Sequence, residues 1–368
     1  MHSLAAMWQR IQSELFPYLE ETLPDPLTEK RRQLCAILEI VRVEEHLAGG
    51  ARRWTGRPLC DRRAIARAFV AKSVYDVPTT EGLVEMLRTQ PSLRRVCGFE
   101  RRKDVPIKAT FSCAFREFAT SGLCDATHEV LVRTYIGEQI VCHISRDATA
   151  VQAREKPARK VKAAPRDKRK PGRPKKGERR EPPAPTRLER QVHLSADEAL
   201  SEISTVCDAG CKKNAKGKKE FWVGYKAHID TADYGLPVNV VTTSASVHDS
   251  QVAIPMARIT AGRVTVLYEL MDAAYDAKPI YDVCRSLNHR PIIDISGRSP
   301  NRPPFDAATA ERFKTRTSVE RTNSRLKDEF GLRHVRVRGY IKVHAHIMFG
   351  ILALFADQLM KMAACQRC

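Results

Sequence analysis

Near residue 135 the apolar side chains change their spacing, and that change narrows the possible folds more than any other feature of the 368-residue chain. Upstream they recur at helical intervals. "CDRRAIARAFVAKSVYDV" from Cys60, "TTEGLVEMLRTQPSLRRVCGF" from Thr79 and "DVPIKATFSCAFREFATSG" from Asp104 read as helices, with Thr80 as an N-cap, Pro91 and Gly98 as breakers, and Phe111, Phe115 and Phe118 on one face. Downstream the period becomes two. "EQIVCHISRD" (Glu138 to Asp147), "EFWVGYKAHID" (Glu220 to Asp230) and "GLPVNVVTTS" (Gly235 to Ser244) alternate or run β-branched, as strands do.

Two further strands are expected over "RVTVLYELM" and "RPIIDIS". Helices are expected over "HDSQVAIPMARI" and "DAAYDAKPIYDVCRSL", with a long one from Asp306 to Phe330. The order is β, β, β, α, β, α, β, α. A strand–helix–strand crossover makes its strands parallel, whereas strands joined by short turns pair antiparallel, so the sheet is mixed. The ribonuclease H-like fold has this element order. Resemblance to it implies an α/β domain with a mixed five-stranded sheet flanked by helices, the first strand central and the fourth beside it. Asp147, at the end of the first strand, and Asp272, at the end of the fourth, would then lie side by side, with Glu320 packed over the same end from the long helix.

Charge indicates the partner. Lys and Arg number 63 against 43 Asp and Glu, a net +20, which points to a polyanion and above all to nucleic acid. A membrane is the rival. Its best candidate segment, "IMFGILALFADQLM" from Ile347 to Met360, is interrupted by Asp357 and Gln358, is too short to span, and is expected in the core. The opening "MHSLAAMWQRIQSELF" meets Arg10 and Glu14 before any apolar run develops, so no secretory signal is expected and the chain is placed in the cytoplasm, on the nucleoid. The 11 cysteines, an odd count, read as reduced thiols. A zinc site would want two close pairs at ligand spacing; of Cys207/Cys211 and Cys365/Cys368, the second sits at the C-terminal end with no His nearby, so small core or surface residues are expected instead.

Residues 154–190 differ from their surroundings, holding 16 Lys or Arg, 5 Asp or Glu and 7 Pro in 37 residues, with no aromatic residue. Such a composition buries too little apolar surface to order itself, so a disordered insertion between the first two strands is expected. Inside it, "KRKPGRPKKG" has a Gly172-Arg173-Pro174 core that resembles an AT-hook, which would lay Arg173 and Lys175 along a narrow A·T-rich minor groove. A basic linker that binds DNA without preference is the alternative. The expected domains are helical to residue 135, catalytic over 136–153 and 191–345, the insertion between, and a C-terminal helix over 346–368.

Three converging carboxylates repel one another unless a cation lies between them, and oxygen ligands of this kind suit Mg²⁺ or Mn²⁺. Two such ions about 3.5–4 Å apart can serve in-line displacement at phosphorus. In "RTSVERTNSRLK" from Arg316, helical spacing puts Arg316, Glu320 and Lys327 on one side, with Arg321 adjacent. An ordinary exposed Arg–Glu pair would look the same.

The segment from Phe313 to Lys327 resembles the signature of bacterial insertion-sequence transposases of the DDE class: Tyr, two residues, Arg, three residues, Glu, six residues, Lys. Phe313, Arg316, Glu320 and Lys327 stand at those spacings, with Phe for Tyr. "HISRDATAV" and "LMDAAYDA" are similar to the family's two aspartate strands, Ala274 standing where Gly is usual. "GYKAHI", "SVHDS" and "ATFSCAFREF" resemble other family segments, the last in its N-terminal DNA-binding region. The resemblance implies Asp147, Asp272 and Glu320 as a catalytic triad holding two Mg²⁺ or Mn²⁺ ions, with Arg316 and Lys327 facing phosphate. It offers Lys226, His228, His248 and Asp249 as further candidates, although a strand histidine is often structural; Asp276 reads as a helix cap and Tyr275 as packing. Arg333, Arg336, Arg338 and Lys342 would follow the DNA or form a solvated surface. The implied substrate is double-stranded DNA, the element's terminal inverted repeats and the target, cut and joined by a homodimer. A metal-dependent nuclease without strand transfer is the nearer alternative. A catalytically silent DNA-binding regulator is the other, though the presence of all three carboxylates argues against it.

Overall fold

Capping side chains fix where the N-terminal helices start. The computed structural model describes residues 4–47, 60–159, 184–213, 217–294 and 304–365. Helix α1 (Leu4–Arg10) passes through one π turn into α2 (Phe16–Thr22). Thr28 caps α3 (Glu29–Val41) and Asp61 caps α4 (Arg62–Val74), each accepting from a backbone N–H of the first turn. Thr79, not Thr80, caps α5 (Thr80–Thr89): its extended backbone lets the hydroxyl accept from Gly82 N at 3.0 Å, whereas Thr80 is already helical. Pro91 opens α6 (Pro91–Val96), where a missing N–H costs nothing. Helices α7 (Lys108–Ser121) and α8 (Leu123–Tyr135) meet at Gly122, whose φ of 66° turns the chain. Phe111, Phe115 and Phe118 are buried together against Phe69 of α4, as their spacing predicts.

The sheet has six strands: β1 (Ile140–Gln152), β2 (Asp208–Lys213), β3 (Lys219–Thr231), β4 (Pro237–Ser244), β5 (Thr265–Met271) and β6 (Arg290–Ile293). Their order is β2-β3-β1-β5-β6, with β4 also on β3. Pairs of β3 are antiparallel, while β1–β5 and β5–β6 are parallel, which is the mixed arrangement of a ribonuclease H-like sheet. The sixth strand, β2, escapes sequence reading because "DAGCKK" has no apolar alternation. It is held by its ladder to β3 and by Gly210, where a Cβ would come within 2.4 Å of the Trp222 ring. β1 also runs five residues past Asp147, because β3 continues to pair with it after β5 has ended. Asp147 is thus inside the strand, at the point where its parallel neighbour stops.

Helices α9 (Arg187–Gln191), α10 (Ala196–Ser201), α11 (Ser250–Ala261) and α12 (Lys278–Ser286) pack on one another, and α11 rests on β3 and β4. The basic segment is anchored at both ends. Glu155 accepts from the Tyr225 hydroxyl at 2.6 Å, and a Thr186–Glu189 capping box starts α9 inside the stretch expected to be disordered. Arg173 and Lys175, and with them the AT-hook-like core, lie outside the described residues, as does Cys368.

The single helix expected from Asp306 to Phe330 is two helices, α13 (Ala307–Lys314) and α14 (Thr317–Asp328). Thr315 and Thr317 hydroxyls bond back to the carbonyls of Arg312 and Lys314, at 2.7 and 3.1 Å, and compete with the helical ladder at the break. Helix α15 (Tyr340–Cys365) is longer than its apolar core indicated. By length and composition alone it could cross a membrane, but most of it is buried inside the protein, against α3, α4, α7 and α8. One apolar cluster continues from these helices through α15 to Val141, Ile144 and Ile229 of the sheet. Asp357, 3% exposed within α15, is satisfied by Gln33 and by Arg325 of α14.

Candidate active site

Side chains alternate along a strand, so Arg146 and Asp147 point to opposite faces of the sheet. Ser145 pairs with Leu270 at the end of the parallel ladder; Asp147 stands two residues further along β1 and Asp272 just past the end of β5, near enough for its charge to act on Asp147. Asp147 Oδ2 accepts from Asn323 Nδ2 of α14 at 3.0 Å. Burial raises its pKa to about 6; Asp272 and Asp249 push the same way, while the Ala148 N–H and Arg316 oppose. Asp272 caps a short 3₁₀ turn, Ala273–Tyr275, accepting from Ala274 N at 3.0 Å. Its pKa is also raised, chiefly by burial, with Asp249 and Asp294 adding and Arg316 opposing. Ala274 does not adopt positive φ, so this turn has no need of the glycine usual there.

Asp249 brings its charge to the same sheet end from the start of α11. Lys226 Nζ donates to Asp249 Oδ1 and to the Val247 carbonyl, both at 2.8 Å. His228 is 0% exposed, bonded through Nε2 to Thr243 Oγ1 at 2.9 Å, and burial lowers its pKa to about 4, so it is neutral at pH 7. Expected to touch DNA, His228 instead forms the buried floor beneath Asp249, because inward alternation on β3 carries it into the core. His248 lies at the surface and engages Ser250.

Helix α14 closes the site. Arg325 anchors it to Glu329, Asp357 and Gln358. Arg316, at its N-cap, bonds Glu320 Oε1 at 3.0 Å, and its charge partly offsets the raised pKa of both Asp147 and Asp272. Glu320 is 54% exposed against 19% for Arg316. Among the described residues no group of three or more His, Cys, Asp or Glu side chains is arranged to hold a metal ion. The expected convergence of three carboxylates is therefore met by two aspartates, with Glu320 turned to the cation one helical turn before it. Lys327 faces a cleft of about 460 Å³ beside Ala150 and Gln152 of β1, with Lys212 and Arg333. Burial and those two cations lower its pKa. Arg321 points elsewhere, into a cleft with His143 and Asp233.

The helix spacing that groups Glu320 and Lys327 also includes Asn323, which sequence reading passed over. Arg146 was missed too. It is buried between Asp230 (2.7 and 2.9 Å) and Glu269 (2.9 Å), with His289 on Glu269 at 2.6 Å and Thr260 on Asp230 at 2.6 Å. The signal available was an arginine facing the core side of a central strand, which obliges a carboxylate partner. Around the aspartates, Asn323 Oδ1, the Tyr275 hydroxyl and Arg316 NH1 are buried without hydrogen-bond partners. Repelling carboxylates and an unpartnered amide oxygen form a hard-donor set that suits a divalent cation at Asp147 and Asp272.

The family model described as "Transposase DDE domain" matches residues 191–356, spanning Asp272 and the Phe313–Lys327 segment but starting after Asp147. "Transposase domain (DUF772)" matches residues 18–117 of the helical region. No curated protein and no solved structure matches the chain.

Proposed function

We propose that this chain, which belongs to the DDE transposases of bacterial insertion sequences, binds the double-stranded ends of its element, hydrolyses a phosphodiester to free a 3′-hydroxyl, and joins that hydroxyl to target DNA. The observation that carries the proposal is the pairing of Asp147 and Asp272 at one sheet end with Arg316 in reach of both. Mg²⁺ or Mn²⁺ held there by Asp147, Asp272 and, once released by Arg316, Glu320 would polarise phosphoryl oxygens and activate the attacking oxygen.

The protein's own contribution is positioning and charge. Asn323 fixes the Asp147 carboxylate. Arg316, free of Glu320, presents a guanidinium whose buried NH1 has no other partner to the scissile phosphate. Lys327, with Lys212 and Arg333, receives the strand beyond it. The N-terminal helices and the basic insertion, Arg173 and Lys175 included, add DNA contact. The work takes place in the cytoplasm, on the nucleoid, and pairing two ends calls for a homodimer.

The test is cleavage and joining of terminal-repeat DNA in Mg²⁺ by Asp147→Asn, Asp272→Asn and Glu320→Gln. Each variant is expected to retain DNA binding and lose both reactions. A variant that still cuts removes its residue from the site, and wild-type cutting without joined products identifies a nuclease.

A further inference from the structure

We propose that a basic cavity between the N-terminal helices and α15, distinct from the catalytic cleft, holds a backbone phosphate of the bound DNA, with Lys72 as its innermost cation. This rests on the proposed action on DNA and adds a second, fixed point of contact to it. The cavity has a volume of about 400 Å³ and is lined by Lys72 of α4, Arg116 of α7, Arg336 and Arg338 of the loop before α15, and Lys342 of α15, with no Asp or Glu in its wall.

Lys72 is 9% exposed, and among the described residues its ammonium has neither a hydrogen-bond nor an ion-pair partner. Asp76, the acid whose charge it feels, does not line the cavity, and burial lowers the Lys72 pKa to about 8. Arg116, Arg336 and Lys342 also have no ion-pair partner among the described residues. Four cations without ion-pair partners around one open-mouthed cavity repel one another, and the buried one, Lys72, costs stability unless an anion joins it. Phe69, Phe115 and Phe349 pack ring against ring behind them, with centroids 4.9–6.0 Å apart, and give the cavity an apolar wall. The arrangement matches a phosphoryl group that brings charge to the cations and its sugar to the apolar wall.

The loop identifies the source of that phosphate. Arg333 lines the cleft with Lys327, beside β1, and Arg336 and Arg338, a few residues on, line the cavity. One short segment thus carries cations from the catalytic cleft to Lys72, the path of a continuous strand rather than of a free small anion.

The test is equilibrium binding of the full chain to a labelled duplex of arbitrary sequence across a salt series, with Lys72→Met and Arg116→Gln beside the wild type. Loss of one phosphate contact should weaken binding several-fold near physiological salt and reduce the slope of log K against log salt by about 1. Lys72→Met should also melt at a higher temperature than the wild type, since it deletes a buried unpaired charge; loss of binding with a gain in stability is a pairing that misfolding cannot produce. Duplex binding with an unchanged slope in both variants overturns the cavity assignment alone. No duplex binding by the wild type overturns the DNA reading and this proposal with it. Stabilisation of the wild type, but not Lys72→Met, by inorganic phosphate or a mononucleotide, with the DNA slope unaltered, would reassign the cavity to a free phosphate ligand.

Discussion

Arg146 and Asp147 are joined by one peptide bond, yet their surroundings are electrostatic opposites. On the Arg146 face every charge is answered: burial alone would raise the Glu269 pKa, but Arg146 and His289 outweigh it and hold the carboxylate below its usual range. On the Asp147 face like charges are gathered, both aspartate pKa values are raised, and polar atoms of Asn323 and Arg316 lack partners. The contrast separates two uses of buried charge. A compensated network holds the sheet where α11 and α12 pack, whereas the uncompensated one on the opposite face is what the proposed cation and substrate would satisfy.

The largest expected effect sharpens this contrast. Asp147→Asn should lower cleavage by on the order of 10⁴-fold while raising the stability of the metal-free protein, measured by strand-cleavage assay and denaturant midpoint. Arg146→Leu should do the reverse to the fold, costing about 3–5 kcal/mol because Asp230 and Glu269 are left buried without their counter-ion; an unchanged midpoint would show that face to be less coupled than its distances imply.

The pH dependence follows from the raised acid. Asp147 goes from 3.8 unfolded to about 6 folded, so the folded state binds the proton more tightly and stability falls as pH rises from about 4 to 6, then levels. With water still reaching the group, the loss is about 1–2 kcal/mol. Denaturation in a chelator across that range should show this slope in the wild type and lose it in Asp147→Asn. Adding Mg²⁺ at pH 7 should raise the melting temperature of the wild type and not of Asp147→Asn. The smallest effect belongs to Asn323→Ala, which removes one hydrogen bond to Asp147 and should change stability by about 1 kcal/mol or less, with its larger consequence in cleavage.

Legibility followed the physics of each signal. Strands β1, β3, β4, β5 and β6 were readable because one or both faces are apolar; β2 was not, since a backbone ladder leaves no trace in side-chain pattern. The break between α13 and α14 was hidden because a back-bonding threonine is as compatible with a helix as with its end. Within the site, the spacing of Arg316, Glu320 and Lys327 was visible on the helix, and the i,i+4 Arg316–Glu320 pair with it; what spacing could not show was that Asn323 of the same helix would bond Asp147.

Residue type and local period were enough to mark five of the six strands, the mixed α/β class and the basic balance of the chain, because these depend on side chains a few positions apart or on composition alone. Only folding decided that Asp147 and Asp272, 125 positions distant, come near enough for their charges to interact while Arg146 turns to the opposite face. Long-range pairing sets that register, and burial then gives each charge its partner or denies it one.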